Sequence, residues 1–209
     1  MMLLCSSLTN KMINLYSGTP GSGKSFHVCN DIYDYLKFKR KNVIANFPIQ
    51  TNKIKNIKGR FVYKTNDDLT IDYLLEFNNL YHKRNKENQT LIVIDEAGIK
   101  FNSRLWQDKG RLEWLNFFSQ HRKFGYEIIL ISQSDLMLDK QIRTFIEVNH
   151  IHRKMANNGK VGLLLSPLCS FVDIKYWYGM NVKLGVDFLH YSKKIADLYD
   201  SYMLFDNGV

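Results

Sequence analysis

The octapeptide Gly18-Thr19-Pro20-Gly21-Ser22-Gly23-Lys24-Ser25 constrains this chain more than any other stretch. It is a G-x-x-x-x-G-K-[ST] pattern that follows the apolar run Met12-Ile13-Asn14-Leu15-Tyr16 and leads into a segment of helical periodicity. Strand, glycine-rich loop and helix in that order form a phosphate cradle. Glycine reaches backbone angles that a Cβ forbids, so successive amides can converge on one anion. Lys24 offers a point charge to the β- and γ-phosphates, and the Ser25 hydroxyl offers a ligand to Mg²⁺. The helix start adds the positive end of its dipole. With Phe26 in the first helical turn, Gly18 to Phe26 is the expected ATP-binding segment.

A cradle alone does not distinguish a kinase, a switch or a motor. Leu91-Ile92-Val93-Ile94-Asp95-Glu96 narrows the choice. Its apolar run has the texture of a strand buried on both faces of a parallel sheet. Asp95 at its end suits the outer shell of Mg²⁺, and Glu96 suits a base that orients or deprotonates an attacking water. Gln133 ends a further buried strand, Glu127 to Ser132, where an amide can sense the γ-phosphate or hold that water. Arg122 closes the helix Arg111 to Lys123, with Leu112, Trp114, Leu115 and Phe118 inward. It suits either a charge-stabilising finger toward a neighbouring subunit or a cation at a helix C-terminus. Arg104 and Arg143 are lesser finger candidates. A small-molecule kinase leaves Glu96 and Gln133 without a task. A GTPase lacks its base reader, because Asn52-Lys53-Ile54-Lys55 holds no acidic residue.

The net charge of +9 is concentrated in one place. Nine basic residues and no acidic one lie between Lys37 and Lys64, while the rest of the chain is balanced. Such a stretch calls for an anionic partner: DNA, RNA or an acidic membrane surface. Three cysteines without metal spacing (Cys5, Cys29, Cys169) point to a reducing compartment rather than a disulfide scaffold. The six histidines are scattered; His150 and His152 share a strand face without an evident third ligand and read as structural. The N-terminus is too short in apolar residues for a secretory signal. The longest apolar stretch, Val161 to Val172, is broken by Ser166, Pro167 and Ser170 and falls short of the roughly 18 residues of a membrane span.

Elements alternate in the first two thirds. Helix is expected over Ser25 to Phe38 and from Asn66-Asp67-Asp68 through Leu69, Tyr73, Leu74, Phe77 and Leu80, with strands at Asn42 to Phe47 and Arg60 to Tyr63. Leu138 to Arg143 reads as a short helix or turn. From Phe145 the texture turns to strands at Phe145 to Lys154, Lys160 to Leu165 and Ser170 to Tyr178, with a hairpin turn at Ala156-Asn157-Asn158-Gly159 and helix from Ser192 to Leu204. The expected fold is α/β: a P-loop NTPase, a three-layer sandwich with a mostly parallel sheet and a small β-rich C-terminal extension. Residues 12–145 form the ATPase core and 146–209 extend the same domain.

The phosphate loop, Leu91 to Gly98, Arg104-Leu105-Trp106, Gln120-His121-Arg122-Lys123-Phe124-Gly125 and Ile128 to Ser134, in that order, resemble the zonular occludens toxin (Zot) family. That family includes the assembly ATPases of filamentous phages, within the FtsK/HerA-like DNA-pumping ATPases. The resemblance spans Leu15 to Arg143. It implies an extra strand between the two nucleotide-site strands and Mg²⁺-dependent ATP hydrolysis that drives packaging or extrusion of phage single-stranded DNA at the host inner membrane. It also implies a homo-oligomeric ring and protein partners in assembly. By the same resemblance Lys24, Ser25, Asp95, Glu96 and Gln133 hold nucleotide, metal and water, with Arg122 as finger. Many members continue into a membrane-spanning helix that this sequence lacks. Three arrangements stay open: a membrane partner, membrane contact through the basic stretch, or work in the host cytoplasm. A non-enzymatic alternative is a nucleotide-gated assembly adaptor.

Overall fold

The computed structural model describes residues 12–102, 108–157 and 169–199. Among these residues the strands form one eight-stranded sheet in the order β3-β2-β4-β5-β1-β6-β7-β8. The strands are β1 (Ile13–Ser17), β2 (Asn42–Ala45), β3 (Phe61–Tyr63), β4 (Thr90–Ile94), β5 (Tyr126–Ile131), β6 (Ile146–Lys154), β7 (Phe171–Trp177) and β8 (Val182–Leu189). β1 to β6 run parallel, and β7 and β8 add antiparallel strands at one edge. β5 lies between β1 and β4, so the two strands that bear the nucleotide motifs do not touch. The P-loop NTPase expectation, with its inserted strand, is the architecture observed.

Alternating side chains send the central strands into two cores, which makes three layers. Leu91 and Val93 of β4 and Ile129 and Ile131 of β5 face α1 (Lys24–Asp34) through Val28 and Ile32. A π-helical turn, Tyr35–Lys39, continues α1, and α6 (Lys193–Ala196) joins the same layer through Ile195. Ile92, Ile94, Ile128 and Leu130 face the opposite layer of α2 (Ile71–Tyr81) and α4 (Asp108–Gln120). Two short helices, α3 (Ala97–Lys100) and α5 (Lys140–Arg143), follow β4 and precede β6.

Several expectations are corrected. α2 begins at Ile71 rather than at Asn66, because the Thr70 hydroxyl accepts from the Tyr73 amide and caps the helix there. On α4 the buried stripe is Trp114, Phe117 and Phe118, while Leu112 is exposed. Leu80 on α2 is also exposed. β8 was not anticipated; the turn at Gly179 to Asn181 reverses the chain into it. The expected strand Lys160 to Leu165 lies outside the described residues, as do Arg104, half of the hairpin turn and the end of the expected C-terminal helix. No helix of the described residues is long and apolar enough to cross a membrane.

Candidate functional site

The parallel strands end on one edge, and the nucleotide motifs meet there. β1 runs into the loop Gly18 to Gly23, whose three glycines all have positive φ. At Gly18 a Cβ would lie 2.5 Å from the His152 carbonyl, and at Gly23 it would strike the Phe171 ring, so these two positions admit only glycine. Lys24 donates to the Gly18 carbonyl at 2.7 Å and the Thr19 carbonyl at 3.1 Å, folding over the loop. Burial pulls its ammonium below the ordinary value, against the attraction of Asp95 and Glu96. The Ser22 hydroxyl is buried without a partner among the described residues. A buried unsatisfied donor inside a glycine cradle, beside a lysine, fits a phosphate.

Asp95 and Glu96 follow β4 on the same edge. Burial pushes the Asp95 carboxyl up to about 6, while the Glu96 amide and Lys24 pull it down. The Glu96 amide donates to Asp95 Oδ1 at 2.8 Å. Glu96 itself lies in the left-handed region at φ 48°, where a residue other than glycine is strained. That geometry ends the strand, opens α3 and turns the Glu96 side chain off the course of β4. Asn46, at the end of β2, fixes the same corner. Its side chain accepts from the Asp95 amide at 2.6 Å and donates to the Asp95 carbonyl at 2.8 Å.

Ser25 is half-buried in the first turn of α1, and its hydroxyl bonds the Tyr199 phenol. Burial raises Tyr199 to about 12, helped by the charge of Asp95. Phe26 packs between Phe171 and Tyr191, at 5.8 Å from each ring centre. Gln133 is exposed and adjoins the loop, its carbonyl accepting from the Gly18 amide at 3.3 Å. Beside it a cavity of about 470 Å³ is lined by Gly18, Thr19, Gln133, His152, Arg153 and Lys154. The structure therefore gathers Gly18 to Phe26, Asp95, Glu96 and Gln133 at one edge. The Ser25 hydroxyl and the Asp95 carboxylate are the groups that would hold a Mg²⁺ ion.

Arg122 is elsewhere. It follows α4 and precedes β5, at the edge where the strands begin, and pairs with Glu87 at 3.4 Å in the open. Arg143 lies on α5 against Tyr178. Sequence reasoning overlooked Asn46, Tyr199 and Arg153. Asn46 had a signal, an asparagine closing a strand before Phe47-Pro48. Tyr199 and Arg153 had none: Tyr199 meets Ser25 only because the C-terminal helix packs in the layer of α1, and Arg153 reaches the loop only because the sheet order sets β6 beside β1.

Comparisons with known proteins bear on the family and the fold. The family model "Zonular occludens toxin (Zot)" matches residues 12–204. The "Gene 1 protein" of Escherichia phage If1 is 30% identical over 135 residues, which cover 63% of this chain and 38% of that protein. The Gene 1 protein of Enterobacteria phage M13 is 31% identical over 138 residues, covering 61% of this chain and 38% of the relative. The chain thus spans about two fifths of the length of these curated relatives. Among solved structures, the N-terminal domain of zonular occludens toxin from Neisseria meningitidis superposes with a TM-score of 0.57 at 18% identity, covering 91% of this chain and 99% of that one. B204, the DNA-packaging ATPase from Sulfolobus turreted icosahedral virus, gives 0.56 at 14% identity, covering 87% and 98%. At such identities the structural likeness speaks for the fold alone. The family match covers nearly the whole chain, and this protein belongs to the zonular occludens toxin (Zot) family.

Proposed function

We propose that this chain is a Mg²⁺-dependent, ATP-hydrolysing motor domain of virion assembly. It acts on phage single-stranded DNA as a homo-oligomer at the inner face of the host membrane, alongside other assembly proteins. The observation that carries this reading is the convergence of the Gly18–Ser25 cradle, Asp95-Glu96 and Gln133 on one sheet edge. Its relatives support the setting: Gene 1 proteins of filamentous phages by sequence, and a DNA-packaging ATPase by fold.

The chemistry rests on positioning and charge. Loop amides and Lys24 hold the β- and γ-phosphates, with Lys24 exchanging its bonds to the Gly18 and Thr19 carbonyls for phosphate oxygens. Bound Mg²⁺ supplies charge neutralisation on those oxygens. Ser25 and Asp95 would hold it, and Ser25 would turn away from Tyr199 to do so. Glu96 takes the proton of the attacking water, and Gln133 orients that water. Asn46 keeps Asp95 and Glu96 in register with the loop through its two bonds to the Asp95 backbone. The basic face from Lys37 to Lys64 follows the DNA backbone.

ATP hydrolysis measured with and without single-stranded DNA tests this reading. DNA should raise the rate. Lys24→Ala should abolish turnover, and Glu96→Gln should lower it by about 10²–10⁴-fold while ATP still binds. A wild-type rate near zero that DNA does not raise would return the chain to a nucleotide-gated adaptor. Full turnover in Glu96→Gln would take the base role from Glu96.

A further inference from the structure

Three side chains far apart in sequence meet beneath the phosphate loop. His27 belongs to α1, three residues after Lys24; His152 and Asp173 are cross-strand partners on β6 and β7. All three are buried, at 8%, 1% and 0% exposure. One ligand atom from each lies within 4.8 Å of the others. His27 Nδ1 is 2.7 Å from His152 Nε2 and 3.9 Å from Asp173 Oδ2.

The hydrogen bonds assign the protons. His152 Nδ1 lies 3.1 Å from the His150 carbonyl, which can only accept, so Nδ1 carries the hydrogen. His152 Nε2 therefore presents a lone pair, and the hydrogen between the two rings belongs to His27 Nδ1. A histidine fixed through one nitrogen to a backbone carbonyl, with the other nitrogen free, is the usual arrangement of a metal-ligating imidazole. Burial holds the His152 imidazole neutral, its value down at about 3. Asp173 is oriented by His150, whose Nδ1 donates to Oδ2 at 2.8 Å. Its other oxygen, Oδ1, is buried and has no partner among the described residues. Oδ2, the oxygen 3.9 Å from His27 Nδ1, keeps a second lone pair beyond its bond to His150, so the carboxylate can still ligate.

We propose that His27 Nδ1, His152 Nε2 and an Asp173 carboxylate oxygen bind one divalent transition-metal ion of the zinc class, at a site separate from the Ser25–Asp95 corner. Two imidazoles and a carboxylate are a borderline-soft donor set suited to Zn²⁺ or Co²⁺ rather than Mg²⁺. Tetrahedral coordination at ordinary bond lengths separates ligands by roughly 3.3 Å, so small side-chain rotations of the observed cluster suffice. The ion takes the place of the hydrogen on His27 Nδ1, and the neutral ring carries that hydrogen on Nε2 instead, the nitrogen that faces Asp31 at 3.9 Å. A polar cavity of about 170 Å³, lined by Tyr16, Asp31 and His150 among others, reaches the cluster at His27. The ion would tie α1 to β6 and β7, and so brace the loop that packs on the His152 carbonyl.

The test uses nucleotide-free protein without Mg²⁺, titrated with Co²⁺. Wild type should take up one equivalent with the visible absorption of four- or five-coordinate cobalt. Zn²⁺ should displace it and raise Tm. His27→Gln and Asp173→Asn, both conservative in shape, should lose affinity by about 100-fold or more, and His150→Phe by about 10-fold or more, since it only orients Asp173. Ser25→Ala should retain the cobalt spectrum, which separates this site from the nucleotide corner. Absence of stoichiometric cobalt in wild type overturns the proposal. So does a spectrum unchanged in folded His27→Gln or Asp173→Asn, or one lost in Ser25→Ala. Should one of the ligand variants fail to fold, the other decides.

Discussion

At the scale of the residue, Asp95 is held where a carboxylate is costly and useful. Burial is the main cause that lifts it to about 6, so the folded protein holds its proton more tightly than the unfolded chain does. Stability from this group is therefore lost as pH rises from about 4 to about 6, and the ionised carboxylate stays a burden above that window. In nucleotide-free, metal-free protein, Asp95→Asn should stabilise the fold by roughly 2–3 kcal/mol at pH 8, because Oδ1 can still accept from the Glu96 amide. The gain should shrink below pH 6 and vanish near pH 4, while ATP turnover is lost throughout. Denaturant melts of both proteins across pH would show it. An equal gain at every pH would mean that packing, not charge, is the cause. The left-handed Glu96 next to it is a second cost at the same corner, as expected where geometry is held for chemistry.

At the scale of the element, the basic stretch becomes a distinct surface. Lys53, Lys55, Lys58 and Arg60 are exposed on the crossover from β2 to β3, at the sheet edge remote from β8. Exposed aromatic residues accompany them: Tyr63, Tyr81, on whose ring the Arg60 guanidinium sits at 4.6 Å, and Phe38. Cations interleaved with aromatic faces suit single-stranded DNA, whose bases stack while its phosphates are neutralised. Replacing the four cations with glutamine should weaken DNA binding and lower its salt slope by about 3 if each meets one phosphate. Binding isotherms at several salt concentrations would show this, and an unchanged slope would return the face to solvent. Such elements differ in how openly the sequence declares them. β4 and β5 are buried on both faces, so Leu91 to Ile94 and Ile128 to Ile131 read as unbroken apolar runs. The phosphate loop declares itself because only glycine fits where His152 and Phe171 press on it. β8 was legible and overlooked: Val182, Leu184, Val186 and Phe188 alternate with Lys183, Gly185 and Asp187, the period of a half-buried strand, weakened only by the interior glycine. Of the histidine cluster, His150 and His152 showed their shared face, but His27 joins them across 125 residues and no local pattern carries that contact.

At the scale of the whole molecule, the position of Arg122 decides how many subunits one active site needs. Arg122 and Lys24 lie at opposite ends of the parallel strands, and the six residues of β5 alone separate those ends by about 20 Å. An arginine side chain cannot cross that distance within one subunit. Its pairing with Glu87, with both side chains well exposed, is worth little to stability. A finger role therefore requires a second copy whose strand-beginning edge faces the nucleotide of the first, a head-to-tail contact that closes into a ring. If that contact forms, Arg122→Ala should reduce turnover by about 10³-fold or more with little change in Tm, whereas Glu87→Gln should change neither. Lys24→Ala should be inactive as well. A one-to-one mixture of the two dead variants should recover about a quarter of wild-type activity, since random neighbours reunite an intact loop with an intact finger at that frequency. No recovery, in a mixture shown by gel filtration to co-assemble with ATP, would remove Arg122 from the site. Arg153 would then be the arginine to test, because it lines the loop cavity of its own subunit, and its loss would not be rescued by a neighbour.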